Sequence, residues 1–81
     1  MTTLEEIIMA ALGHNIKELR KAHGLTQEAL SERLEIHRVS LARIERGTRM
    51  PDWAFVCKLA EVFGISTDEL RKPMKKSRIP A

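Results

Sequence analysis

The chain has 81 residues, of which 43% are apolar, with two Phe, one Trp and no Tyr, so one small core must be built mainly from aliphatic side chains. Its one cysteine, Cys57, excludes an internal disulfide, no run approaches the roughly 18 apolar residues of a membrane span, and the acids Glu5 and Glu6 argue against a secretion leader; a cytoplasmic protein is the natural reading. The net charge of +3 is unevenly spread: residues 71–81 carry five cations and no acid, which leaves residues 1–70 with nine cations against eleven acids, a net −2.

In chain order, a first helix is expected from about Leu4 to Leu12, opened by Thr3 with Glu6 three residues on, the pattern of a capping box, with Gly13 a candidate terminator. A second runs from about Asn15 to His23, with Ile16 and Leu19 inward and Gly24 where a left-handed residue is needed. Whether these are one bent helix or two is open at this level. Thr26 stands at the N-cap of the next helix, whose first residue is Gln27. There Ala29, Leu30 and Leu34 share one side, and Gln27, Glu28, Glu32 and Arg33 cover the other.

After a hinge at Glu35-Ile36, Leu41 and Ile44 recur at helical spacing, while His37, Arg38, Val39, Ser40 and Arg43 face elsewhere. Residues 37–49 hold Arg38, Arg43, Arg46 and Arg49 against Glu45 alone, so positive potential is concentrated here although the body is slightly acidic. Eight or nine residues are too few for a stable isolated helix, so both pieces must dock on a shared core. Two short amphipathic helices joined by a tight turn, the second basic outside, have the layout of a helix-turn-helix, and double-stranded DNA is the leading partner.

Gly47 closes this segment, and the loop to Pro51 cannot continue as helix into the proline. Asp52 is the expected N-cap of a helix from Trp53 to Phe63, with Val56, Leu59, Ala60 and Phe63 repeating at helical spacing. Trp53 reads as a packing residue at the helix start, and Cys57 as a buried, inert thiol. Gly64 ends that helix, and Ser66-Thr67-Asp68-Glu69 caps a last turn reaching Leu70. The tail beyond Pro73 is basic and expected to be disordered. His14, His23, His37 and Cys57 show no metal-ligand spacing, so neither metal, cofactor nor enzymatic activity is expected.

From about Leu12 to Leu70 the chain resembles the Cro/repressor-like (Xre-type) helix-turn-helix family of phage and bacterial regulators. The likeness rests on I-K-E-L-R-K-A-H-G-L-T-Q-E-A-L at 16–30, I-E-R-G at 44–47, P-D at 51–52, L-A at 59–60 and F-G-I-S-T-D-E-L at 63–70. It implies an all-α, lambda-repressor-like bundle of five helices over residues 13–71; a candidate extra N-terminal helix, the extension at 1–12, and the basic tail at 72–81 are read from the residues outside the likeness. It also implies that the helix starting near His37 lies in the major groove, with His37, Arg38, Val39, Ser40 and Arg43 toward base edges and the two arginines the strongest candidates, since each can grip one guanine by two bonds.

Thr26, Gln27, Arg46, Thr48 and Arg49 are placed by the resemblance at backbone phosphates. Arg20 and Glu45 match a structural ion pair, and Phe63, Ile65 and Leu70 a homodimer surface, with the N-terminal helix as a second candidate. Two departures stand out. Glu35 occupies a turn position where many relatives have glycine, which costs on the order of 1 kcal/mol in a left-handed conformation, and Ser31 replaces a common alanine, tolerable if its hydroxyl bonds back to the preceding turn. The functional expectation is a DNA-binding regulator, a repressor acting as a homodimer on a palindromic operator; the alternative is an antitoxin or adaptor that holds a protein partner such as a toxin and binds DNA for autoregulation.

Overall fold

A computed structural model of the chain describes residues 2–71. Among them five helices and no strand are formed: α1 (Leu4–Ala22), α2 (Gln27–Leu34), α3 (Arg38–Glu45), α4 (Trp53–Phe63) and α5 (Thr67–Arg71). The expected disorder of the tail falls on residues outside this range.

Helix starts fall where side chains can accept bonds from otherwise unpaired N–H groups. Thr3 Oγ1 accepts from the Glu6 N–H at 3.1 Å while Glu6 Oε1 accepts from the Thr3 N–H at 2.8 Å, a complete capping box. Those bonds from Thr3 hold the Glu6 carboxyl below its ordinary pKa. Thr26 caps α2 through the Ala29 N–H (3.0 Å), Asp52 caps α4 through Phe55 (2.8 Å), and Ser66 accepts from Glu69 at 3.3 Å.

The open question about residues 4–23 is answered by a single 19-residue helix. The separate N-terminal helix expected before Gly13 is the first half of α1, and Gly13 terminates nothing. A glycine within a helix costs up to about 1 kcal/mol relative to alanine, so its presence calls for a compensating contact. A Cβ built on Gly13 would lie 2.3 Å from the Ile44 carbonyl oxygen and 2.7 Å from that of Glu45. The missing side chain lets the α1 backbone rest directly on the C-terminal turn of α3. One turn earlier, a Cβ on Gly47 would come within 3.2 Å of Ala10 Cα, so α1 also backs the residues that follow α3.

The core lies where α1 packs on α3 and α5, α2 on α3 and α4, and α4 on α5. Ile16, Leu30, Leu41, Leu59 and Leu70 are fully enclosed at its centre. Phe63 and Leu70, expected at a dimer surface, belong to this core, with 6% and 0% of their surface exposed; each fills the space between helices of its own chain. Ile65 is half-buried against the same cluster. Asn15, itself buried, donates through Nδ2 to the Leu70 carbonyl at 2.6 Å and so ties the short α5 to α1.

The α2–α3 turn takes the conformation expected of it despite lacking glycine. Glu35 has φ 57°, ψ 43°, in the left-handed region, and its carboxylate accepts a bond from Lys58 of α4; that bond, reinforced by the Lys58 charge, holds the Glu35 carboxyl below its usual pKa. Ser31 Oγ donates back to the Glu28 carbonyl at 2.8 Å. Two other expectations are corrected. Trp53 is 68% exposed because it sits at the open end of α4 ahead of the buried Phe55, and Cys57 is only partly buried because the inward side of α4 belongs to Phe55, Leu59 and Phe63.

The helix crossing makes Gly13 the most sensitive glycine. Gly13→Ala is expected to cost about 3 kcal/mol through overpacking against backbone that cannot move aside. Gly24→Ala, at φ +68° with open space around it, should cost only about 1 kcal/mol. Urea unfolding of the two variants measures both.

Candidate nucleic-acid interface

The helix-turn-helix formed by α2 and α3 buries one side and presents the other to solvent. On α3 the inner side is Leu41, Ile44 and Glu45, all buried. At 100° per residue, Val39, Arg43 and Arg46 lie along the outer crest, with Arg38 on one flank and Ser40 on the other. Arg38, Arg43 and Arg46 are exposed, Val39 is 54% exposed and Ser40 is half-buried. His37 lies just outside the helix, at its N-cap, exposed and making no side-chain capping bond.

The Arg38 flank forms a concavity of about 310 Å³ between three helices, lined by Lys17 of α1, Gln27 of α2, and Arg38, Val39, Ala42 and Arg46 of α3, with Glu45 at its base. Three cations around one concave surface concentrate positive potential there. Lys17 did not emerge from the sequence, where it is one of several charges on the outer side of a helix; only the crossing of α1 with α3 brings it beside Arg38 and Arg46.

On the other flank Arg49 Nη1 donates to Ser40 Oγ at 3.3 Å, so these two expected DNA contacts meet each other across the surface. Thr48 Oγ1 donates to the Arg43 carbonyl at 3.0 Å, closing the end of α3, and the hydroxyl proton is thereby engaged within the chain. Thr26 differs: its oxygen accepts from Ala29, which leaves its O–H available to donate outward.

Beneath the surface a buried polar network sets the position of α3. Arg20 Nε donates to Glu45 Oε2 at 2.8 Å and Arg20 Nη2 to Glu45 Oε1 at 3.1 Å, a two-pronged pair with side-chain exposures of 11% and 2%. Arg20 Nη1 also holds the Leu25 carbonyl at 2.9 Å. Gln27 joins through Nε2, donating to Glu45 Oε1 at 3.0 Å. Gln27, expected only at a phosphate, therefore links the first residue of α2 to the last of α3. Its amide has a second N–H beyond the one given to Glu45.

Among the described residues no group of three His, Cys, Asp or Glu side chains converges as a metal site would require, and no helix is long and apolar enough to cross a membrane. Residues 16–70 match a protein family described as helix-turn-helix. The chain is 43% identical over 63 residues to the uncharacterized HTH-type transcriptional regulator YazB of Bacillus subtilis, a match covering 78% of this chain and 91% of that one. It is 38% identical over 60 residues to the HTH-type transcriptional regulator ImmR of the same organism, across 74% of this chain and 47% of ImmR. Among solved structures, the restriction-modification controller protein C.AhdI from Aeromonas hydrophila is similar with a TM-score of 0.72 and 34% identity, over 76% of this chain and 94% of that one. A hypothetical transcription factor from Neisseria, NHTF, gives a TM-score of 0.79 at 25% identity, over 85% and 78% of the two chains.

Removing one member of a buried ion pair leaves the other charge unpaired, which typically costs about 3–5 kcal/mol. Arg20→Met is therefore expected to lower unfolding free energy by about 3 kcal/mol or more, measured by urea denaturation. Arg33→Met, on the exposed side of α2, should change it by less than about 0.5 kcal/mol.

Proposed function

The chain belongs to the Xre-type helix-turn-helix family of DNA-binding transcriptional regulators, and from that premise we propose that it is a sequence-specific repressor acting as a homodimer on a palindromic double-stranded operator. The observation that carries this reading is the division of α3 into a buried apolar side, locked by Glu45, and an exposed side bearing Arg38, Val39, Arg43 and Arg46. In this reading residues 13–71 form the DNA-binding unit and residues 1–12 its extension.

With α3 in the major groove, Arg38 and Arg43 read guanine O6 and N7, Val39 meets a thymine methyl, and His37 and Ser40 assist at neighbouring base edges. Ser40 becomes available once Arg49 exchanges its bond for a phosphate. Thr26 and Gln27 at the start of α2, together with Arg46, Thr48 and Arg49, meet the sugar-phosphate backbone and fix register. Thr48 does so through its surface position rather than its hydroxyl proton, which stays on Arg43. Lys17 adds a further phosphate contact from α1, supported by its place in the concavity with Gln27, Arg38 and Arg46. One α3 contacts only a few base pairs, so two half-sites about one helical turn apart are needed, which is the reason for a dimer.

The test begins with selection of bound sequences from a random duplex library by the purified protein, expected to enrich a two-fold symmetric site. Anisotropy titrations on the enriched duplex should then show Arg38→Ala and Arg43→Ala weakening specific binding by about 1–3 kcal/mol each, with non-specific binding less affected. Lys17→Ala should weaken both and reduce the slope of log affinity against log salt by about 0.9. No enriched sequence, or binding indifferent to salt, would overturn the proposal.

A further inference from the structure

Among the described residues the large apolar side chains left exposed are Leu4, Ile7, Val39, Met50 and Trp53. Val39 belongs to the base-reading surface. The other four come from two elements at one end of the molecule. Leu4, Ile7 and Ile8 share one side of the first two turns of α1 by their spacing, and Met50, Pro51, Trp53 and Val56 come from the α3–α4 loop and the start of α4. Between these walls runs a groove of about 320 Å³, lined by the apolar Ile8, Leu12, Met50, Pro51, Trp53 and Val56 with Thr67 and Asp68 of α5 at a polar edge, and Leu4 and Ile7 lie outside that lining, next to Ile8 on α1.

We propose that this α1–α4 face is where two copies of the chain meet around a two-fold axis. The proposal rests on the homodimer reading given above and supplies its contact surface. Phe63 and Leu70 fill the protomer's own core and offer a partner little apolar surface, and Ile65 is itself half-buried against that core. The size of the exposed face fits a second copy. Leu4, Ile7, Met50 and Trp53 are 73%, 53%, 40% and 68% exposed, which amounts to roughly 500 Å² of apolar surface. A standard-size specific interface buries about 800 Å² per partner and homodimer interfaces are about 65% apolar, so an apolar centre of this size with a polar rim matches what a dimer of that size needs.

The position also suits the function. The opposite side of the same α1 segment, at Gly13, rests on the end of α3, and the α1 backbone at Met9 and Ala10 meets Gly47. A contact at Leu4 and Ile7 therefore sets the separation of the two α3 helices through a rigid helix one diameter thick.

Trp53 is the chain's single tryptophan, so it reports on the face directly. Sedimentation equilibrium and tryptophan emission are recorded on the full chain over a concentration series from about 1 μM upward. The expected result is dimerisation accompanied by a blue shift of emission as the indole leaves water. Ile7→Glu should raise the dimer dissociation constant at least about tenfold, because it places a charge within the apolar centre, while Trp53 of the variant keeps its water-exposed emission. Unchanged far-UV dichroism and a retained cooperative thermal transition would show that the variant is folded.

Dimerisation without an emission change, or an Ile7→Glu variant that dimerises like the wild type, would overturn this face while leaving the homodimer reading in place. A dilute monomer with blue-shifted emission would overturn it by showing that Trp53 is already shielded within its own chain. A red-emitting monomer at every concentration would overturn both the face and the homodimer.

Discussion

The carboxylate of Glu45 is the point on which the arrangement depends. A charge with 2% of its side chain exposed is unfavourable unless it is paired and fully bonded, and its partners come from three separate parts of the chain: Arg20 near the end of α1, Gln27 at the start of α2 and, through Arg20, the Leu25 carbonyl between them. Satisfying that one group fixes α3 relative to both α1 and α2. A hydrophobic contact would hold the helices together but tolerate sliding; directed bonds on both carboxylate oxygens do not. For the helix proposed to present side chains to base edges, that restriction of geometry matters more than the net stabilisation, which for buried ion pairs is small.

The second constraint is the direct contact of α1 with the end of α3 at Gly13. Because no side chain separates the two backbones there, α1 acts as a support behind the C-terminal turn of α3, and the residues after it are held in turn by Ala10 against Gly47. The first half of α1, outside the segment matched by the family, is thus mechanically continuous with α3. Its two sides do different things. One braces α3, and the other leaves Leu4 and Ile7 in solvent.

These constraints also explain how a body with a slight excess of acid presents a cationic surface. Glu45 is turned inward and neutralised by Arg20, so the acid nearest the arginines of α3 contributes little field outside. Glu35 is paired with Lys58 on the α4 side. What remains outward around α3 is Arg38, Arg43, Arg46 and Arg49, with Lys17 added from α1. The global charge is a poor guide to this surface because potential near a concave site depends on the few charges that line it.

Much of the fold was legible because its signals are local. Capping side chains act three residues away, helical periodicity acts over three and four, and a left-handed residue closes a turn within its own bonds, so Thr3, Thr26, Asp52, Glu35 and Ser31 all do in the structure what their neighbours in sequence require. The apolar and cationic sides of α3 were legible for the same reason, and Arg20 with Glu45 through the family resemblance. The rest was decided by tertiary packing. Gly13 reads as a helix end from local propensity, yet lies inside a helix because Ile44 and Glu45, over thirty residues away, need its empty side. Gln27 joins Glu45, Lys17 joins Arg38, Phe63 and Leu70 turn inward and Trp53 turns outward only once five helices have taken their places. Each of these depends on which helix faces which, and that is set by the mutual fit of distant surfaces, for which no short stretch of sequence carries a signal.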